Sequence, residues 1–153
     1  MVRELSPEEV DVLLREARFA SLGCHANGET YVVPISFVFD GKRVLGQTKP
    51  GKKIDMMRKN PKVCVMVDNI KSIVDWQSVV VWGIYRELSG TEAATAMGAL
   101  IDHLSPGLEN EARRKGRSPR DVTPAEPGGL PQVDIVYEIE VQKATGRAES
   151  PDS

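Results

Sequence analysis

The stretch from Gly46 to Lys53, GQTKPGKK, has the residue types of an anion-binding turn. It comes within one residue of the nucleotide-binding loop G-x-x-x-x-G-K-[ST]. Gly46, Gly51 and Lys52 match, but Lys53 stands where that loop needs a hydroxyl for magnesium. The apolar run VCVMVD, ending at Asp68, could pass for the acidic strand of a nucleotide hydrolase. Pro50 counts against that reading, because it removes one of the backbone N–H groups that should cradle phosphate. The remaining chemistry is that of Thr48, Lys49, Lys52 and Lys53 ahead of an expected helix start. Free backbone N–H groups, the helix dipole and ammonium charge all favour phosphate at such a place. From spacing alone, a solvated basic turn fits equally well.

Other reactive side chains are sparse. Cys24 and Cys64 form neither a C-x-x-C pair nor a disulfide framework, which fits reduced thiols in a cytoplasmic protein. Two Cys and two His, widely spaced, make a metal site improbable. His25 follows Cys24 at an expected hairpin tip, where the pairing is incidental. The net charge of -2 argues against general attraction to nucleic acid or membrane. No apolar run approaches the roughly 18 residues of a membrane span, and the first residues, MVRELSPEEV, carry no apolar leader region.

The elements that must position these residues are readable. SPEEVDVLLREA carries a capping box at Ser6 and Glu9 and an apolar face of Val10, Leu13, Leu14 and Ala17. The period then changes to two. RFASLGC and TYVVPISFVF flank an Asn27-Gly28 turn, and Asp40-Gly41 leads into RVLGQ. These read as three strands of a meander, with Pro34 marking an open edge or bulge in the middle one. KKIDMMRKNP is a short helix stopped at Asn60-Pro61, and KVCVMVD a strand. WQSVVVWGIYREL is a long strand with a bulge or bend at Gly83. Its β-branched and aromatic residues point to both faces, and Trp82 is expected in the core. SGTEAATAMGALIDHL is a helix with a Ser89–Glu92 capping box, an apolar stripe of Ala93, Met97, Leu100, Ile101 and Leu104, and an end at Pro106-Gly107. Residues 108–132 read as a polar loop, 113–120 as a solvated basic cluster, VDIVYEIEV as the last strand, and 144–153 as a frayed tail. The class is mainly β (α+β), in one domain over 1–153. Hairpin-linked strands make an antiparallel sheet, which counts against the parallel βαβ frame of a nucleotide hydrolase.

The order ASLGCHANGETYVVPISFVFDGKRVLGQTKPGKKIDMMRKNPKVCVMVD, followed by WQSVVVWGIYREL, resembles the pyridoxamine 5'-phosphate oxidase-like family of FMN-binding split barrels. Within it, the pattern is similar to the branch of small flavin-nucleotide-binding proteins that includes nitroimidazole-resistance proteins. The resemblance covers about residues 13 to 147. It implies a six-stranded antiparallel split β-barrel with flanking helices, a homodimer with flavin between subunits, and a small-molecule substrate. Position by position, Val33, Pro34, Ile35 and Ser36 would line the flavin ring and ribityl chain, followed by Gln47 and Thr48. Lys52 and Lys53 would meet the phosphate with Lys49 nearby, and Trp76, Gln77 and Ser78 would complete the site. The implied cofactor is FMN; FAD, the deazaflavin F420 and haem are alternatives among relatives. Gln47 stands where many relatives carry His. The chain ends GRAESPDS, without the Trp- and Arg-containing segment of true pyridoxamine-phosphate oxidases, so vitamin B6 oxidation is not expected. No acid, base or nucleophile stands out, as suits a flavin oxidoreductase or a passive flavin carrier or sensor.

Overall fold

The computed structural model describes residues 1–114 and 134–151. Strand β1 (Val2–Glu4) leads into helix α1 (Pro7–Glu16). Its capping box forms: Glu9 N–H donates to Ser6 Oγ at 3.2 Å, and Ser6 N–H donates to Glu9 Oε1 at 3.0 Å. Val10, Leu13 and Leu14 are buried, so the apolar face read from the sequence is the packed one.

Strands β2 (Phe19–Ala26) and β3 (Glu29–Ser36) form a hairpin. Asn27 and Gly28 both take positive φ, 53° and 77°, as a tight primed turn requires. The expected meander stops there. The chain makes a one-residue break at Phe37, and the short β4 (Val38–Phe39) pairs with β5 (Arg43–Thr48) instead. Two local forces set the break. Phe37 has no exposed surface, and its N–H donates to Arg18 O at 3.0 Å. Asp40 Oδ1 then accepts the N–H groups of Lys42 and Arg43, at 2.9 and 2.7 Å, closing the turn into β5.

Helix α2 (Lys52–Lys59), β6 (Lys62–Ser72), β7 (Asp75–Glu87), helix α3 (Gly90–Arg114) and β8 (Ile135–Glu149) follow. The sheet order is β3-β2-β6-β7-β8-β5-β4, with β1 on β8, and every ladder is antiparallel. Six of the strands are the expected ones. The sheet does not close: β3 ends one side and β4–β5 the other. Its inner face carries the main core, from Leu22, Val65, Val79 and Val81 to Tyr137 and Ile139. Beneath α3 lies a second cluster, Leu45, Leu88, Ala96 and Val136. This is a split β-barrel with flanking helices.

Four expectations are corrected. Residues 144–149 are not a frayed tail but the second half of β8, which pairs with β7 on one side and β1 on the other. Their weak alternation hid them, because backbone ladders on both sides hold them. Trp82 lies on the outer face of β7, 42% exposed, with Lys143 Nζ 5.2 Å from its ring centroid. Helix α3 runs past Pro106 to Arg114. Pro106 cannot donate to Asp102 O, and the Ser105 hydroxyl donates there instead, at 3.2 Å. On the same helix Ile101 is exposed while Ala96 and Leu100 are buried, and Glu92 accepts from Arg86 Nη2 at 2.8 Å. The 108–132 region beyond Arg114, and with it most of the basic cluster, falls outside the described residues. No helix among those described is long and apolar enough to cross a membrane.

The register shift beside Gly83 falls where the sequence expected a bulge, with Gln142 as the extra residue on β8. A Cβ on Gly83 would stand 2.4 Å from Glu140 O and 2.7 Å from Ile139 Cγ2. Gly83→Ala is therefore expected to lower stability by about 1–3 kcal/mol in urea unfolding. Gly98→Ala, in α3 with nothing within 4 Å of a Cβ, should raise it by up to about 1 kcal/mol.

Candidate functional site

The lysine turn lies between β5 and α2. Gly51 precedes the helix with extended backbone (φ 176°), and no side chain caps it. Asp55 N–H donates to Gly51 O, which leaves the N–H groups of Lys52, Lys53 and Ile54 at the open first turn. Neither glycine plays the part it has in a nucleotide-hydrolase loop. Gly51 does not use positive φ, and Gly46 is buried in β5 against the Tyr137 ring. The VCVMVD run is part of β6 and lies antiparallel between β2 and β7. The hydrolase reading is excluded by this frame.

The two candidate phosphate lysines differ. Lys52 Nζ is 2.8 Å from Glu29 Oε1 and 4.7 Å from the Tyr31 ring centroid, so it ties the helix start to β3. The Glu29 carboxylate holds the Lys52 ammonium above its ordinary pKa. Lys53 is half-buried and meets no carboxylate among the described residues. Lys49 is exposed, and its carbonyl accepts the Thr48 hydroxyl at 3.3 Å.

Alternation divides the remaining candidates. Val33 and Ile35 face inward and pack on the core, while Pro34 is on the outer face with Val32. Ser36, opposite Phe19, shares the parity of Pro34. On β5, Thr48 shares the inner face of Gly46, and Gln47 shares the face of Leu45 beneath α3. Cα atoms of β3 and β5 come within 8 Å of one another, yet no ladder joins the strands. The lysine turn therefore opens beside the unpaired seam of the barrel.

Trp76, Gln77 and Ser78 lie elsewhere in the same chain. They pair with Ile70, Asn69 and Asp68 of β6, and two strands, β2 and β6, separate them from β3. Trp76 and Ser78 point outward, whereas Gln77 borders a crevice of ≈ 270 Å³ beneath α1 with Val12 and Leu13. A single chain thus brings β3, the end of β5 and the α2 start together, but not the Trp76–Ser78 segment.

The sequence reading missed a shallow hollow of ≈ 410 Å³ on the outer sheet face, lined by Val32, Cys64, Trp82 and Ile84 among others. Phe19, Val32, Met66 and Ile70 add exposed apolar surface on the outer side of these strands, at 73%, 64%, 39% and 67%. The signal was present: both faces of WQSVVVWGIY are apolar. Cys24 and His25 do not pair. Cys24 is buried, its Sγ 4.0 Å from Met56 Sδ, while the His25 ring hydrogen-bonds Thr30 Oγ1 across the hairpin.

Residues 6–148 match the family model described as pyridoxamine 5'-phosphate oxidase. A curated relative, an uncharacterized protein of Rhizobium meliloti, is 34% identical over 147 residues, covering 96% of this chain and 95% of its own. The solved structure of a FAD-binding protein from Mesorhizobium loti superposes with a TM-score of 0.77 at 28% identity, over 98% of each chain. The FAD- and haem-binding protein of Mycobacterium smegmatis shares the fold, with a TM-score of 0.70 at 16% identity, over 97% of this chain and 74% of that one. With fold, strand order and lysine turn in place, the chain belongs to the pyridoxamine 5'-phosphate oxidase family.

Proposed function

We propose that this protein binds a flavin, FMN in particular, at the seam between β3 and β5, and uses it to reduce a small molecule. The observation that carries the reading is the pairing of Lys53, half-buried and without a carboxylate partner among the described residues, with the three open N–H groups of the α2 start. That donor set fits a phosphate monoester: charge from the ammonium, direction from the amides. Lys52 contributes from its anchored place on Glu29. The free edge of β3 with its exposed Pro34 offers a surface for the ring system, and unpaired backbone groups of this edge can receive its polar rim.

The flavin would supply hydride or electron transfer, and the protein's share is to bind, orient and shield it. Gln47, beside the turn, can donate or accept a hydrogen bond but cannot shuttle a proton as a histidine would. A passive flavin carrier or sensor is the second reading, favoured by the absence of a histidine or cysteine from the turn residues 46–53. Steady-state turnover of NAD(P)H with nitro compounds or quinones decides between them: saturable turnover excludes the passive role.

The site needs a second copy of the chain. Trp76 and Ser78 stand on the apolar outer face, away from their own lysine turn. Burial of that face against a second subunit would place them to complete the partner's pocket. A homodimer is therefore part of the proposal. Trp82→Asp, which puts a charge in the middle of the face, should shift sedimentation from dimer to monomer and weaken flavin binding with it. A monomeric wild-type protein would remove this half of the reading.

Protein purified from cells should carry the absorbance of oxidised flavin or gain it on adding FMN; a Soret band or a deazaflavin spectrum would reassign the ligand. Lys53→Ala should weaken FMN roughly ten- to hundredfold, the value of one charge-assisted hydrogen bond, and leave riboflavin nearly unchanged. Equal loss for both ligands would remove Lys53 from the phosphate.

A further inference from the structure

Helix α2 has eight residues, too few to hold its own geometry in water. Buried Ile54, Met56 and Met57 seat it, and polar contacts fix its ends. At the C-terminal end Asn60 Nδ2 donates to His25 O at 2.8 Å, and Arg58 Nε donates to Glu87 Oε1 at 2.5 Å. The same Glu87 oxygen accepts the Tyr85 hydroxyl at 3.0 Å. Arg58 holds the Glu87 carboxyl below its usual pKa, so the latch stays ionised.

Tyr85 is buried, and its ring centroid lies 5.6 Å from that of Tyr137. Tyr137 in turn occupies the space a side chain at residue 46 would need: a Cβ on Gly46 would be 2.4 Å from its Cζ and Oη. A continuous packed relay therefore runs from Gly46 through Tyr137, Tyr85 and Glu87 to Arg58. Its two ends are the strand and the helix that flank the lysine turn. Gly46 is two residues before Thr48, and Arg58 is five residues after Lys53.

We propose that this relay sets the spacing between the end of β5 and the start of α2, making Tyr85 and Glu87 positioning residues for the cofactor phosphate. The proposal rests on the phosphate reading above. Neither residue lies in the turn; each acts through the helix or the strand that carries it. The relay also gives Gly46 a reason to be glycine that has nothing to do with nucleotide hydrolysis.

The test uses full-length Glu87→Gln and Tyr85→Phe, each checked for a native circular dichroism spectrum and for dimer content. Affinities for FMN and riboflavin are measured by flavin fluorescence quenching, beside wild type and Lys53→Ala. The readout is the FMN-to-riboflavin affinity ratio, which a general loss of stability leaves unchanged. Each relay variant is expected to lower that ratio by roughly two- to thirtyfold, the range of coupling through packed networks. A wild type that does not favour FMN over riboflavin overturns the phosphate reading and this proposal together. If wild type favours FMN and Lys53→Ala abolishes the preference while both relay variants keep it in full, the relay alone is overturned.

Discussion

The barrel depends on one refusal to pair. At Phe37 the chain leaves the ladder it shares with β2 and, one residue later, joins a ladder at the opposite side of the sheet. A buried aromatic ring and a single N–H to Arg18 O hold that crossing in place. Because the crossing is so short, the two ends of a strongly twisted sheet are brought beside each other. β3 is bonded only to β2 and β5 only to β8 and β4, so the two strands meet without a ladder. The seam this leaves is where the lysine turn opens. A fully closed barrel would have spent the same backbone groups on itself.

Much of this was legible in the sequence because local chemistry and global fold agree. Ser6 and Glu9 announced the first helix, Asn27-Gly28 the hairpin, and Pro34 an edge strand. The six long strands follow from period-two patterning and turn residues. Tertiary context decided the rest. TYVVPISFVF reads as one strand because nothing in its residue types marks Phe37 as the break. ATGRAE reads as a tail because its strand character comes from two neighbouring ladders rather than from alternation. Trp82 was assigned to the core from its place in mid-strand beside Gly83; only the sheet's parity reveals its outward direction. The candidate site was legible as a set of residues, but not its division between two faces and two distant regions of one sheet.

Charge placement shows a similar economy. Glu138 is 3% exposed on the face of β8 that α3 covers. Arg86 and Arg43 both donate to its Oε1, at 2.5 and 3.5 Å. Arg86 also holds Glu92 at the start of α3, and Arg43 holds Asp40 in the turn before β5. The buried carboxylate is thus satisfied from the rim of the sheet. Its partners tie a helix start and a hairpin turn to the middle of β8. Such a group is costly to bury alone, and the two guanidinium groups at the rim offset that cost while remaining hydrated themselves.

Pro34 has a consequence beyond the seam. A strand of eight residues with one free edge and an exposed Val32 is the kind of surface onto which another chain could add a strand, and then another. The register with β2 runs unbroken through the Ser21–Pro34 pair, so the ring nitrogen of Pro34 faces away from the ladder. An incoming strand would therefore find no donor at Pro34, and the edge ladder would be broken there. Pro34 therefore guards this free edge against fibre formation in every partly folded or monomeric chain.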